Sequence, residues 1–286
     1  MSLTARRSPT PRGLRRRRLR GQIGWTLSGL SVLLVAFPLI DLLAVIVEKG
    51  LRALSPTLFT QVTNGISGGL WNAIQGTLLL VVGALVFAVP IGVLSGIYVA
   101  EWPRSRFAGL VRFVADVMTG IPSVVLGYFG YITMVIGLGW QFSLLAGAIT
   151  LALMVIPYIA RTTELAMLNI GHDIREAGSA LGLSQGTVIF RVVLPGALSG
   201  VLSGIMLAVA ISVGETAPLI YTAGWSNYAW NGSLVHAPVG YLTYVIWTFI
   251  NQPFASAHAL AFAAALLVIA LVLLVNAITR TLLQRR

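Results

Sequence analysis

Long apolar stretches alternate along this chain with short polar connectors, and the lengths of the apolar stretches are those of membrane spans. Crossing a bilayer takes about 20 apolar residues. Six stretches qualify, near 23–47, 70–100, 107–138, 142–168, 196–220 and 257–280. One connector, residues 172–195, is polar and mildly basic. In it Asp173 followed by Glu176 forms a capping-box pattern, and Gly182 offers the left-handed residue that ends a helix. The spacing predicts a helix over 174–181, about two turns long and too short to be stable alone in water, so it needs a surface to dock on. A second connector, about 221–256, is rich in Trp, Tyr, Asn and Gly and holds the apolar run Tyr241 to Ile250. That run is too short to span and reads as a re-entrant or interfacial helix, with Trp225, Trp230 and Trp247 at headgroup depth. The segment either receives a soluble partner or is a solvated connector with an aromatic anchor.

Composition fixes the class. Hydrophobic residues fill 57% of 286 positions and charged residues 9%, with a mean hydropathy of +0.89, so the fold expected is an all-α polytopic membrane protein. The absence of cysteine excludes disulfides, thiol nucleophiles and thiolate metal sites. A net charge of +11 invites a nucleic-acid reading, but eight arginines lie before Gly21, in the segment 1–22 directly upstream of the first span, 23–47. That placement is a cytoplasmic anchor obeying the positive-inside rule, and no nucleic-acid partner is expected; a twin-arginine signal is the other reading. The run Ile23 to Val47 is too long for a cleaved signal and lacks a small-residue cleavage site. With the N-terminus inside, fifteen basic residues fall on the cytoplasmic side, Arg104, Arg106, Arg175, Arg191, Arg280, Arg285 and Arg286 among them, against Lys49 and Arg52 outside. Both termini are therefore expected in the cytoplasm.

Ionisable groups inside spans are costly and point to function. Arg112 and Asp116 are four apart in the third span and Arg161 and Glu164 three apart in the fourth, so each pair can meet within its own helix, or the charges can pair across helices. Asp116 and Arg161 sit about 13 and 10 Å from the cytoplasmic end, and Glu215 about 28 Å, so straight spans predict no bond between Arg161 and Glu215. Neutralisation of buried charge and a part in a solute path both remain open. Gly196, Gly200 and Gly204 recur every fourth residue of the fifth span, permitting close approach by another helix, of this chain or of a second subunit. Enzyme motifs are weak. Gly65-Ile66-Ser67-Gly68-Gly69 fits a nucleophile-elbow string but lacks its strand–turn–helix context, and His172, His236 and His258 are scattered, with no metal cluster in sequence. There is no phosphate loop of the type G-x-x-x-x-G-K-[ST], so any ATP and Mg²⁺ belong to another chain.

Glu176, Ala177, Gly182, Leu194 and Pro195 match, at the right spacing, the coupling loop of ATP-binding-cassette importer permeases; Gly178 stands for the family's third Ala and Val192 for its Ile. Three more strings, Gly120-Ile121-Pro122-Ser123-Val124-Val125-Leu126-Gly127, Ile159-Ala160-Arg161-Thr162-Thr163-Glu164 and Gly214-Glu215-Thr216-Ala217-Pro218-Leu219, resemble the second permease subunit of bacterial phosphate-specific importers, the PstA type. The resemblance spans an importer transmembrane domain at residues 65–283. One departure is Ile211, where the family often has Arg four residues before the Glu of GETAP. The resemblance implies six spans of the type I importer fold with a coupling helix at Asp173, Arg175, Glu176, Ala177, Gly178 and Gly182. It further implies a multi-pass protein of the bacterial inner membrane and a translocation path near Arg161, Glu164, Glu215, Thr216, Asp116 and Arg112, with Arg161 best placed to meet an anion. Expected partners are a second, different permease, two ATPase subunits that bind ATP and Mg²⁺, an extracytoplasmic phosphate-binding protein, inorganic phosphate and lipid. Competing readings are a permease for molybdate or sulfate, an intramembrane enzyme using Ser67, and a passive channel or scaffold. Genomic neighbours separate the first, activity in the isolated chain the second, and the capped helix argues against the third.

Overall fold

Proline and glycine set where the helices of this chain stop and bend. The computed structural model describes residues 11–284, so Arg6, Arg7, Arg285 and Arg286 of the charge count lie outside the described residues. The chain divides into two units, residues 1–48 and 49–286. As far as it is described, the first is helix α1 (Pro11–Ala53) up to Glu48. From Gly21 onward this helix is long and apolar enough to cross a membrane.

The second unit opens with α2 (Pro56–Thr60) and a minimal hairpin, β1 (Thr63–Asn64) with β2 (Ser67–Gly68), antiparallel with Asn64 opposite Ser67. Ser67 is exposed there and its hydroxyl donates to the Asn64 carbonyl at 3.1 Å. Then comes α3 (Trp71–Glu101), which pairs with α6 (Leu144–Leu168) at the centre. Leu80, Ala84 and Ala88 meet Leu151, Val155 and Ile159 there, all buried. The backbones approach closely, since a Cβ on Gly92 would stand 2.7 Å from that of Ile159.

The third predicted span is not one straight helix. It is α4 (Arg106–Gly120) followed by α5 (Ser123–Gly130), which runs on as a π-helical stretch Tyr131–Gly137, and the two parts are bent by 103°. Pro122 has no N–H to donate and forces Ile121 into the extended region, φ −79° and ψ 127°. Five described helices are long and apolar enough to span, and six if this bent pair counts as one.

The predicted short helix is α7 (His172–Ala180), starting two residues early and without a capping box. Gly171 takes the capping position and offers no side chain, Asp173 lies inside the first turn, and Glu176 turns to His172 at 3.2 Å on an exposed face. Asp173 still complements the positive end of the helix dipole. The other end follows the sequence reading: Gly182 has φ +76°. The Leu183 N–H returns to the Gly178 carbonyl at 3.2 Å and the Gly182 N–H to that of Ser179 at 3.0 Å, a Schellman motif.

The fifth span begins before 196 and ends before 220. Ser184 accepts from the Thr187 N–H and starts α8 (Gln185–Val188), which continues through a π-helical turn, Ile189–Val193, into α9 (Leu194–Gly214). The wide turn immediately precedes the turn of Pro195, whose missing N–H breaks the regular ladder. The helix stops at Gly214, and after Glu215 and Thr216 a new one, α10 (Ala217–Thr222), begins. Along α9, Gly196, Gly200 and Gly204 face Ile170, Ala166 and Thr162: a Cβ on Gly200 would stand 2.5 Å from that of Ala166, and one on Gly204 would run into the Thr162 hydroxyl. The glycine stripe therefore serves packing within the chain. The two broken spans also meet, because a Cβ on Gly127 of α5 would lie 2.5 Å from the Pro218 Cα of α10.

The remaining elements are α11 (Leu242–Phe249), the predicted short helix, and α12 (Ala255–Gln284), against which Leu242, Val245 and Phe249 are buried. Of the three tryptophans expected at headgroup depth, Trp225 stacks on Tyr244 at 4.5 Å and the Trp230 indole donates to the Ser233 carbonyl at 2.7 Å. Both hold the connector together, and Trp247 alone of the three projects outward.

Candidate functional site

Glu164 lies near the end of α6 with its side chain 6% exposed, too deep for a carboxylate without cations. Two arginines supply them. From α4, Arg112 binds Oε1 through Nε at 3.0 Å and Nη2 at 2.9 Å. From one turn back on α6, Arg161 binds Oε2 through Nη1 at 2.7 Å. The pairing of Arg112 with Asp116 inside α4 is thus not made. Arg112 reaches across to Glu164 because that carboxylate is buried, whereas Asp116 is exposed and needs less compensation.

The two arginines differ in what they have left. Arg112 spends its other donors on carbonyls at the end of α3 and just beyond it, Val99 at 3.2 Å and Pro103 at 3.3 Å. Val99 is an orphan acceptor of the helix end and Pro103 lies two residues past α3, so Arg112 staples α4 to the end of α3 and the turn after it. Arg161 is 58% exposed and makes no other hydrogen bond among the described residues, which leaves its Nε–Nη2 edge open. That edge offers two parallel N–H donors and suits a planar or tetrahedral oxyanion. Arg161 borders a cavity of about 250 Å³, also lined by Asp116, Thr119 and Tyr158. Asp116 has no cationic partner among the described residues, so the wall carries one more negative charge.

At the α7 end, Arg175 is turned inward. It binds Glu101, the last residue of α3, at 2.7 Å, and donates to the Ile170 carbonyl at 2.6 Å and the Met167 carbonyl at 2.9 Å. Glu101 stands at the negative end of a helix dipole, where an acid is disfavoured, and is 6% exposed. One guanidinium thus neutralises α3 and caps α6 while belonging to α7. Gly178 packs on Val188, whose Cγ2 a Cβ would meet at 2.8 Å, so glycine at this position allows α7 to lie on α8. Ala177 presents its carbonyl to Leu181, whereas Leu194 and Pro195 start α9.

Glu215 is separate from the arginine cluster. It caps the end of α9, its carbonyl accepts from the Thr243 hydroxyl at 2.7 Å, and its carboxylate faces the hydroxyl of Ser123 at the start of α5. Ile211 gives it no cation and instead joins the apolar core. Thr216 accepts on its carbonyl from Leu219 and Ile220 at the start of α10. The two strings that looked special in sequence, at Pro122 and Glu215, are therefore the two breaks, and they touch. Glu101, Ser123 and Val188 were not singled out from sequence. An acid closing a long apolar helix is the available signal for Glu101, Ser123 stands in the Gly120–Gly127 string without a role assigned to it, and Val188 carries no signal. Among the described residues, no group of His, Asp and Glu is arranged to hold a metal.

Residues 88–286 match the family described as binding-protein-dependent transport system inner membrane component. The chain is 41% identical over 265 residues to the phosphate transport system permease protein PstA 2 of Mycobacterium bovis, covering 93% of this chain and 88% of that one. It is 39% identical to PstA of Haemophilus influenzae, covering 91% and 92%, and 35% identical to a probable phosphate transport system permease protein of Methanocaldococcus jannaschii, covering 88% and 90%. Among solved structures, a chain of the MetNI methionine ABC transporter in an inward-facing conformation aligns with a TM-score of 0.62 and 21% identity, over 81% of this chain and 99% of that one. This last likeness is one of fold, the all-α fold of type I importer permeases.

Proposed function

The chain belongs to the family of binding-protein-dependent transport-system inner-membrane components, and from that membership we propose that it is the permease subunit of an ATP-driven importer of inorganic phosphate. The observation that carries the cargo is the 35–41% identity, over about nine tenths of both chains, to proteins named as phosphate permeases. The protein is a multi-pass membrane protein and a transport subunit, not an enzyme.

In this reading both termini face the cytoplasm of a bacterial cell. A second, different permease completes the path, two ATPase subunits bind ATP and Mg²⁺, and an extracytoplasmic phosphate-binding protein delivers the anion. The drive enters at α7. When the ATPase pair closes, the groove that holds α7 moves. Arg175 ties α7 to the ends of α3 and α6, so the displacement reaches the helix that carries Arg161 and Glu164. Phosphate meets the open edge of Arg161, which stays charged when dehydrated. Glu164 offsets one of its two arginines and Asp116 the other, so the wall is close to neutral, and the anion is held briefly rather than trapped.

The test is uptake of radiolabelled phosphate by vesicles containing the assembled complex, with the binding protein outside and ATP inside. Uptake should need both and should be unaffected by excess sulfate or molybdate. Competition by either anion equal to that of unlabelled phosphate would assign the permease to another oxyanion.

A further inference from the structure

Where α9 stops there is a small, partly open cavity whose polar lining is Thr77, Ser212, Glu215, Tyr241 and Thr243, set among Leu80, Val81, Val213 and Leu219. Its volume is about 10 Å³, close to the lower limit for one water molecule. Two of these lining residues carry a buried hydroxyl without a hydrogen-bond partner among the described residues, Ser212 Oγ and Tyr241 OH. Their residues are 2% and 1% exposed, so bulk water does not serve them. A buried hydroxyl without a partner is destabilising, and such groups are rare. Two around one cavity point to a shared ligand.

The neighbours decide what that ligand is. Thr77 donates its hydroxyl proton to the Ala73 carbonyl at 2.8 Å and accepts from the Leu242 N–H at 2.9 Å. Thr243 donates to the Glu215 carbonyl at 2.7 Å, which leaves its oxygen able to accept. The space therefore offers two spare donors, on Ser212 and Tyr241, and a spare acceptor on Thr243. A single water, with two lone pairs and two protons, matches that set, and the volume admits nothing larger. We propose that this cavity is a one-water site, in which the water accepts from Tyr241 and Ser212 and donates to Thr243. It joins the last turn of α9 to the segment entering α11, directly beside the break at Glu215. A joint made this way parts by exchanging hydrogen bonds, without exposing apolar surface, which suits a place where a helix must shift.

The test uses the assembled permease complex and two measurements. X-ray radiolysis makes hydroxyl radicals from water in contact with a side chain, so Tyr241 should be oxidised at a rate approaching that of Tyr228, which is 79% exposed. Background labelling of Tyr241 would overturn the proposal. Secondly, Tyr241→Phe and Ser212→Ala should each lower the melting temperature, by about 2–4 °C, and the double variant should fall by less than the sum because both lose the same water. A variant melting at or above the parent temperature would mean that its hydroxyl had no partner to lose, and that the space is dry. Should a variant fail to assemble, the labelling decides alone.

Discussion

Arg175 in α7 closes on Glu101, the last residue of α3, at 2.7 Å. The pair is 74 residues apart in sequence, and the same guanidinium caps the end of α6. Arg175→Ala should therefore cost about 2–4 kcal/mol, as a mostly buried acid loses its partner. Its mark should be loss of coupling. In reconstituted vesicles, ATP hydrolysis should persist at the basal rate without stimulation by phosphate while uptake falls, and Glu101→Gln should do the same more mildly. Unchanged uptake in Arg175→Ala would show that α7 transmits motion by another contact.

At the other end of α7, Gly182 holds φ +76°, a conformation that is strained by about 1 kcal/mol or more in a β-branched residue. Gly182→Val should re-aim the helix and weaken ATPase retention on co-purification. Glu176 caps nothing and is exposed, so Glu176→Ala should leave the melting temperature of the complex unchanged. Any loss of uptake in that variant then reports a contact with the ATPase, whereas a fall in melting temperature would restore a structural role for Glu176.

The glycine stripe of α9 gives a third test. Gly204→Val pushes a side chain into Thr162 and should destabilise by about 1–3 kcal/mol. Adding Thr162→Ala should recover part of that loss. Melting of the four members of the cycle measures the coupling, and strictly additive effects would place the stripe against something other than α6.

Much of the fold was legible because its strongest signals are local. Apolar length located the spans and Gly182 the end of α7. What escaped reading has two physical origins. Hydropathy runs unbroken through Ile121-Pro122, so the 103° bend was masked by composition although the proline that causes it was in view. Likewise Asp173 at a capping site and Asp173 two residues past it, within the first turn, give the same string, and only the backbone of Gly171 distinguishes them. The other origin is distance along the chain. Arg112 and Glu164 are 52 residues apart, and no periodicity says that Arg112 prefers a buried acid on α6 to an exposed one on its own helix. The arginine pair was recognisable as functional; which arginine is the staple and which keeps an open edge required coordinates.

In the proposed path Arg161, not Arg112, meets the anion. Arg161→Gln should leave the complex assembled, since Arg112 still neutralises Glu164. Arg161→Lys should rescue only in part, because a point charge does not reproduce the fork. Arg112→Gln, by contrast, should reduce the yield of assembled complex.

The most direct measurement is the initial rate of ATP-driven phosphate uptake, per assembled complex, in Arg161→Gln and in Arg161→Gln combined with Glu164→Gln. Loss of a charge-assisted bond worth about 1.5–3 kcal/mol should slow uptake by about tenfold or more. Both variants should show that slowing, because neutralising Glu164 does not replace the lost donor edge. Recovery to the parent rate in the double variant would contradict a role in the path, and would make Arg161 only the counter-ion of Glu164.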